Sequence, residues 1–93
     1  MNIIHVKEDN QGCFVASEDL AEVGRITYVM SGPTKIIINH TEVNPKNEGQ
    51  GIGTELVLAV VEYARANSLK ILPTCVFAKA LFDKTPEIHD VLF

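Results

Sequence analysis

Hydrophobic and polar positions alternate along the first half of the chain, with a period of two that is typical of β-strands. Between these stretches lie polar segments rich in Gly, Asn, Asp, Ser and Pro, the residues that turns require. The pattern predicts four strands, at residues 2–6, 12–17, 21–30 and 36–43. Because each connection is short, we expect the four strands to form an antiparallel meander.

The periodicity changes at Ile52, after which apolar residues recur every three or four positions. This spacing predicts a helix over residues 52–66 with one buried stripe, formed by Ile52, Leu56, Ala59, Val60, Tyr63 and Ala64. Asn67 and Ser68 end the helix, and residues 69–72 form a short fifth strand. A strand, a helix and a strand in succession require parallel pairing with a right-handed crossover.

Two further short helical segments are predicted after the fifth strand. Thr74 can cap a helix that runs to about Asp83, and Pro86 begins a last segment that reaches Phe93. The predicted fold class is therefore α+β: an antiparallel four-strand meander plus one parallel strand, with a main helix and short C-terminal helices.

Length and charge narrow the range of functions. From the 93 residues, 46% of them hydrophobic, we expect one domain over residues 1–93 with a single small core. Twelve acidic against eight basic residues give a net charge of −4, and the basic residues are scattered singly. Nucleic-acid binding requires a basic patch, so we expect no nucleic-acid partner.

Targeting segments and metal sites are not indicated. The amino terminus lacks the charged region and long apolar run of a signal peptide, and no stretch approaches eighteen apolar residues. We therefore expect no membrane partner and a cytoplasmic location. Cys13 and Cys75 lie far apart with no C-x-x-C pair, so neither a metal site nor a redox motif is predicted. In a reducing compartment, both cysteines should be free thiols.

A glycine-rich turn joins the fourth strand to the main helix. Gly49, Gly51 and Gly53 stand where the helix should begin, although each glycine costs a helical position about 1 kcal/mol relative to alanine. The first N–H groups of a helix have no partner within it and its dipole is positive there, so this turn is predicted to bind a phosphate. Thr54 breaks the dinucleotide pattern G-x-G-x-x-G, and the Gly-Lys-Ser/Thr of a P-loop is absent.

The sequence Glu48-Gly-Gln-Gly-Ile-Gly53 resembles the pyrophosphate loop, Gln/Arg-x-x-Gly-x-Gly/Ala, of the GNAT superfamily of acetyl-coenzyme A-dependent N-acetyltransferases. Together with His40-Thr-Glu-Val43, Tyr63-Ala64 and Ile71-Leu-Pro-Thr-Cys75, it resembles a small, single-domain GNAT-related family. The resemblance covers residues 36–82. It implies a GNAT-like fold, acetyl-coenzyme A as cofactor, and an amine on a small molecule or protein as acceptor.

The cofactor contacts that we predict come from the end of the fourth strand and the glycine turn. They are Val43, Glu48, Gly49, Gln50, Gly51, Ile52, Gly53 and Thr54. Glu48 departs from the family pattern, which carries Gln or Arg at this position. A carboxylate beside a pyrophosphate opposes binding by about 0.3–1 kcal/mol, and Lys46 is close enough in sequence to offset it.

Two residues are candidates for catalysis. Cys75 follows the fifth strand at the start of a helix, where the positive helix end favours the thiolate; most free cysteines, however, are small buried hydrophobic residues. Alternation places His40 on the face of Ile36 and Ile38, as a hydrogen-bonded core residue or as a general base. Parallel pairing should bring His40 and Cys75 together, and the family resemblance implies the same two residues.

Two mechanisms and two other functions stay open from the sequence. The amine attacks the thioester directly while His40 or a water takes its proton, or Cys75 is acetylated first and passes the group on. The alternatives to an enzyme are a non-catalytic coenzyme A-binding module and a protein-interaction domain whose glycine turn serves only tight packing. Turnover and nucleotide binding distinguish them.

Overall fold

A computed structural model describes every residue from Met1 to Phe93 as one sheet with helices beside it. The elements are β1 (Asn2–Lys7), β2 (Gln11–Glu18), β3 (Ala21–Ser31), β4 (Lys35–Val43), α1 (Ile52–Asn67), β5 (Lys70–Pro73) and α2 (Val76–Asp83). Short 3-10 helices occupy Pro45–Asn47 and Pro86–Val91. No helix combines the length and apolarity needed to cross a membrane.

The sheet confirms the predicted topology. Its strands lie in chain order, and β1 to β4 pair as an antiparallel meander. β5 pairs with β4 in parallel, with Ile36 opposite Ile71, after the crossover through α1. The α+β class with one parallel strand is therefore correct, and it follows from the short turns before β4 and the single helix after it.

α1 covers one face of the sheet, which we call the inner face. The apolar stripe of the helix, from Ile52 to Ala64, joins strand residues such as Ile26 and Ile36 in one buried cluster. Tyr28 also lies in this cluster, and burial raises its pKa to about 12, so its hydroxyl is neutral at physiological pH. The opposite, outer face has no buried cluster: Ile4 and Val6 point there with 58% and 48% of their surface exposed.

A β-bulge interrupts β4 at Asn39. Tyr28 of β3 pairs with Ile38 and Thr27 with His40, so Asn39 is an extra residue with no partner of its own. The bulge reverses the alternation beyond it. Residues before the bulge follow the predicted pattern, and Ile36 and Ile38 are fully buried on the inner face.

After the bulge, paired residues define the faces. His40 lies opposite Thr27 on the outer face, whereas Thr41 lies opposite the buried Ile26 on the inner face. The prediction that His40 shares a face with Ile36 and Ile38 is therefore wrong. The reason is physical, because one extra residue in a strand with a period of two moves every later side chain to the other face.

β4 and β5 separate just beyond the bulge. Their pairing ends where Ile38 lies opposite Pro73, and β4 continues without a neighbour on that side from Asn39 to Val43. Thr74 holds the point of separation, since its N–H and its hydroxyl both donate to the Ile38 carbonyl at 2.9 Å. Thr74 is thus a strand clamp and not the predicted helix cap. The cap position of α2 belongs to Cys75.

Candidate functional site

The glycine turn has the backbone shape that the sequence indicated. Gly51 is the cap residue of α1 and adopts a φ of 78°, in the left-handed region that favours glycine. A Cβ atom added at Gly51 would point into open space, with no other atom within 4 Å. The backbone angle therefore favours glycine here, and its missing side chain leaves the backbone open to a ligand.

The amides of this turn have no partners in the protein. From Gly49 to Thr54, six consecutive backbone N–H groups make no hydrogen bond, and the first bond of the helix runs from the Glu55 N–H to the Gly51 carbonyl at 3.0 Å. The positive end of the α1 dipole adds to their field. A run of unpaired donors at a helix N-terminus is the arrangement that binds phosphate groups.

A cavity of about 390 Å³ lies against these amides. Of the predicted cofactor contacts, the cavity is lined by Val43, Glu48, Gly49, Gly51, Ile52, Gly53 and Thr54. Gln50 is exposed and does not line it. The remaining lining residues, which the sequence did not single out, are Thr41, Asn47 and Phe77. The predicted segment is thus brought together, and two other elements complete its walls.

Phe77 shows why Gly53 carries no side chain. A Cβ at Gly53 would lie 2.8 Å from the Phe77 ring, so only glycine lets the ring rest over the first turn of α1. Phe77 is 43% exposed, unusual for a large aromatic residue, and its free side faces the cavity. The sequence did contain a signal for Phe77. It is an aromatic residue only two positions after the candidate Cys75, in the first turn of α2.

Cys75 is the N-cap residue just before α2, half-buried, with its φ and ψ in the extended region. Its sulfur makes no capping bond to the helix. Instead, Sγ lies 3.2 Å from the hydroxyl of Thr41, and either atom can be the donor. Cys75 itself does not line the cavity, whereas Thr41 does. The bulge at Asn39 creates this contact, since it turns Thr41 to the inner face.

His40 does not form the predicted pair with Cys75. The histidine is exposed on the outer face, and the hydrogen-bonding partner of Cys75 is the neighbouring Thr41. If His40 acts in catalysis, it must therefore contact the reactants from the outer face, where β4 and β5 separate. Cys13 is also a half-buried free thiol, but it lies in β2 opposite Val6 and Thr27, away from the cavity.

The chain matches a family model and several solved structures. The model of GCN5-related N-acetyl-transferases matches residues 13–91. The solution structure of a GCN5-like, proposed N-acetyltransferase from Staphylococcus aureus is 35% identical, with a TM-score of 0.74 over 99% of this chain and 89% of the other. No curated protein sequence matches.

Two longer proteins share the fold at lower identity. A ribosomal-protein-alanine N-acetyltransferase from Brucella melitensis is 18% identical with a TM-score of 0.70, covering 81% of this chain and 62% of its own. A proposed streptothricin acetyltransferase from Bacillus anthracis, solved in complex with acetyl coenzyme A, is 20% identical with a TM-score of 0.66, covering 83% and 47%. This chain therefore spans about half to three fifths of these longer relatives.

Acetyl-coenzyme A is the cofactor of the matched family, and the geometry of the glycine turn fits its pyrophosphate. Six free amides, a positive helix end and an adjoining cavity supply the donors and the space. Glu48 is the one acidic residue that lines this cavity, and its carboxylate opposes an anion there. With the family model matched over nearly the whole chain, this protein belongs to the GCN5-related N-acetyltransferase family.

Proposed function

We propose that this protein binds acetyl-coenzyme A at the glycine turn and transfers the acetyl group to an amine. The observation that carries the proposal is the run of six unpaired amides, from Gly49 to Thr54, beside a cavity. Leaving these donors unpaired is favourable only where water or an anion accepts from them. A pyrophosphate would satisfy several at once.

The open edge of β4 supports a path for the rest of the cofactor. Between Asn39 and Val43, this edge has no neighbouring strand, because β5 has already turned away. An unpaired strand edge offers backbone donors and acceptors to an extended chain that carries amides of its own, as the pantetheine arm does. Thr41 and Val43 line the cavity from this edge and would hold the arm, with Cys75 in contact with Thr41.

Bound acetyl-coenzyme A supplies an activated acetyl thioester. In the covalent route, the Cys75 sulfur would attack the acetyl carbon, the new carbon–sulfur bond would replace the one to coenzyme A, and the thiol proton would leave with the coenzyme. An amine then takes the acetyl group from Cys75 and returns a proton to the sulfur. Cys75 suits this role because it lies beside a cavity-lining hydroxyl at the start of a helix.

In the direct route, the amine attacks without a covalent enzyme intermediate. His40 is exposed on the outer face, where it can accept the proton of an amine that enters the gap between β4 and β5 from that side. The outer face bears no helix, so an acceptor on a small molecule or on a protein can reach it. His40 therefore acts on the acceptor and not on Cys75.

One experiment separates these routes from a non-catalytic binding module. Amide NMR titration with acetyl-coenzyme A should shift the resonances of residues 49–54 most, and mass spectrometry without an acceptor should then find one acetyl group on Cys75. Cys75→Ala should remove this label, and the matched variant Cys13→Ala should keep it. Binding with neither label nor turnover on any amine would identify a coenzyme A-binding module. Resonances that do not move at saturating ligand would refute the cofactor site itself.

A further inference from the structure

Thr41 is the residue that connects the cavity to Cys75. It lines the cavity, Cys75 does not, and its hydroxyl makes the hydrogen bond that the structure gives to the Cys75 sulfur. Neither the glycine turn nor His40 reaches that sulfur by a hydrogen bond. The Thr41 hydroxyl is therefore the group that links the Cys75 sulfur to the cavity.

We infer that Thr41 is a positioning residue for Cys75, whose hydroxyl directs the sulfur toward the cavity and donates a hydrogen bond to it as the thiolate. The inference rests on the proposed function in one respect, that Cys75 receives the acetyl group. Its first test, however, needs no cofactor and no turnover, so the two proposals fail separately.

The backbone of Cys75 is fixed by its neighbours. Thr74 is bound twice to the Ile38 carbonyl, and the Cys75 carbonyl accepts the Lys79 N–H at 3.0 Å in the first turn of α2. With the backbone held on both sides, rotation about the Cα–Cβ bond is the remaining freedom of the thiol. The bond to Thr41 selects one of the available sulfur positions.

Threonine is better suited to this task than serine. A β-branched side chain in a strand has few allowed rotamers, so the Thr41 hydroxyl is held in place before the thiolate forms. A hydroxyl that donates to an anion in a half-buried site makes a stronger bond than one between neutral groups. The thiol form loses less from removal of the hydroxyl than the thiolate does, so reactivity should respond more than stability.

Two variants at position 41 test the inference through the rate at which iodoacetamide alkylates Cys75 at neutral pH. Thr41→Val keeps the shape and removes the hydroxyl, and alkylation of Cys75 should slow by about tenfold. Thr41→Ser keeps the hydroxyl and loses the methyl group, and it should recover most of that rate. Cys13, in the same molecule, provides an internal reference whose rate should not change.

The stability of the two variants should not follow their alkylation rates. This difference distinguishes a positioning role for Thr41 from a packing role. Valine keeps the methyl contacts on the inner face, so the Tm of Thr41→Val should equal or exceed that of Thr41→Ser. If alkylation instead follows Tm, with Thr41→Val as reactive as the parent protein, Thr41 is a packing residue and the inference is overturned. A matched control is Thr27→Val, which removes a hydroxyl bound to Asn39 on the outer side of the same bulge and should leave Cys75 reactivity unchanged.

Acetylation then links the residue to function. The acetyl label on Cys75 should appear about tenfold more slowly in Thr41→Val, while the Kd for acetyl-coenzyme A, measured by calorimetry, stays within about twofold. Loss of affinity in place of loss of rate would assign Thr41 to cofactor binding and reject the positioning role. If the parent protein is alkylated as predicted but never acetylated, the proposed function fails and the positioning of Cys75 stands.

Discussion

The two turns at either end of β4 have the same glycine conformation and different consequences. Before β4, Gly32 adopts a φ of 74°, and after it Gly51 adopts a φ of 78°; in both places an added Cβ would meet nothing within 4 Å. The first turn returns the chain to an antiparallel strand, with Ser31 paired to Lys35 across it. The second opens a helix beside a cavity.

The difference lies in the backbone donors that follow the glycine. After Gly32, the chain enters Pro33, which has no N–H, and then joins the sheet ladder. Around Gly51, at the positive end of α1, six consecutive amides are unpaired. A positive φ is thus a local requirement of a turn. The anion site arises from the donors that a helix start leaves without partners.

The largest expected effect is on acetyl-coenzyme A affinity, and it tests the difference between the two glycine turns directly. Gly51→Val should weaken acetyl-coenzyme A binding by about 100-fold or more, because the branched side chain would stand where the ligand must approach the amides. Gly32→Val is the matched control: valine at a positive φ costs both variants about 1–3 kcal/mol of stability. Calorimetry should find normal affinity in Gly32→Val. Equal losses of affinity in the two variants would mean that folding, and not the glycine turn, governs binding.

A second substitution addresses the strand that joins the two turns. His40→Ala should lower kcat by about 100-fold with little change in cofactor Kd, because a general base acts in the transition state. Glu42→Ala, also exposed on β4, should change kcat by about twofold at most. Steady-state kinetics on an accepted amine, with Tm measured in parallel, gives the result. Unaltered kcat in His40→Ala would show that this histidine, which follows the bulge at Asn39, has no catalytic role.

The smallest expected effect sharpens the account of the glycine turn. Replacing the Glu48 carboxylate on the cavity by Gln should tighten acetyl-coenzyme A binding by about two- to fivefold at low salt, equivalent to about 0.3–1 kcal/mol. The gain should shrink as salt screens the charge. Glu55→Gln makes the same change in net charge at a residue that does not line the cavity, and should gain less. Equal gains in both variants would indicate a general effect of net charge.

The sequence determined the elements of this fold and the place of its glycine turn. Both follow from local physics: apolar periodicity selects a strand or a helix, turn residues separate them, and every helix start leaves amides unpaired. The crossover helix after β4 likewise required the parallel strand. Seven of the eight predicted cofactor contacts line the cavity for this reason, since they are neighbours in sequence.

Contacts between distant segments were decided by the tertiary structure. The bulge at Asn39 exchanged the faces of His40 and Thr41, and no residue pattern within β4 marks it. It depends on how β3 and β4 align, which is a pairing between two segments. The approach of Thr41 to Cys75, and of Phe77 to Gly53, depends in turn on where β5 leaves the sheet. Because side chains in a strand alternate between two faces, a one-residue change in its pairing with another strand moves the later side chains to the opposite face. Only the folded sheet could therefore show which side chain contacts the thiol.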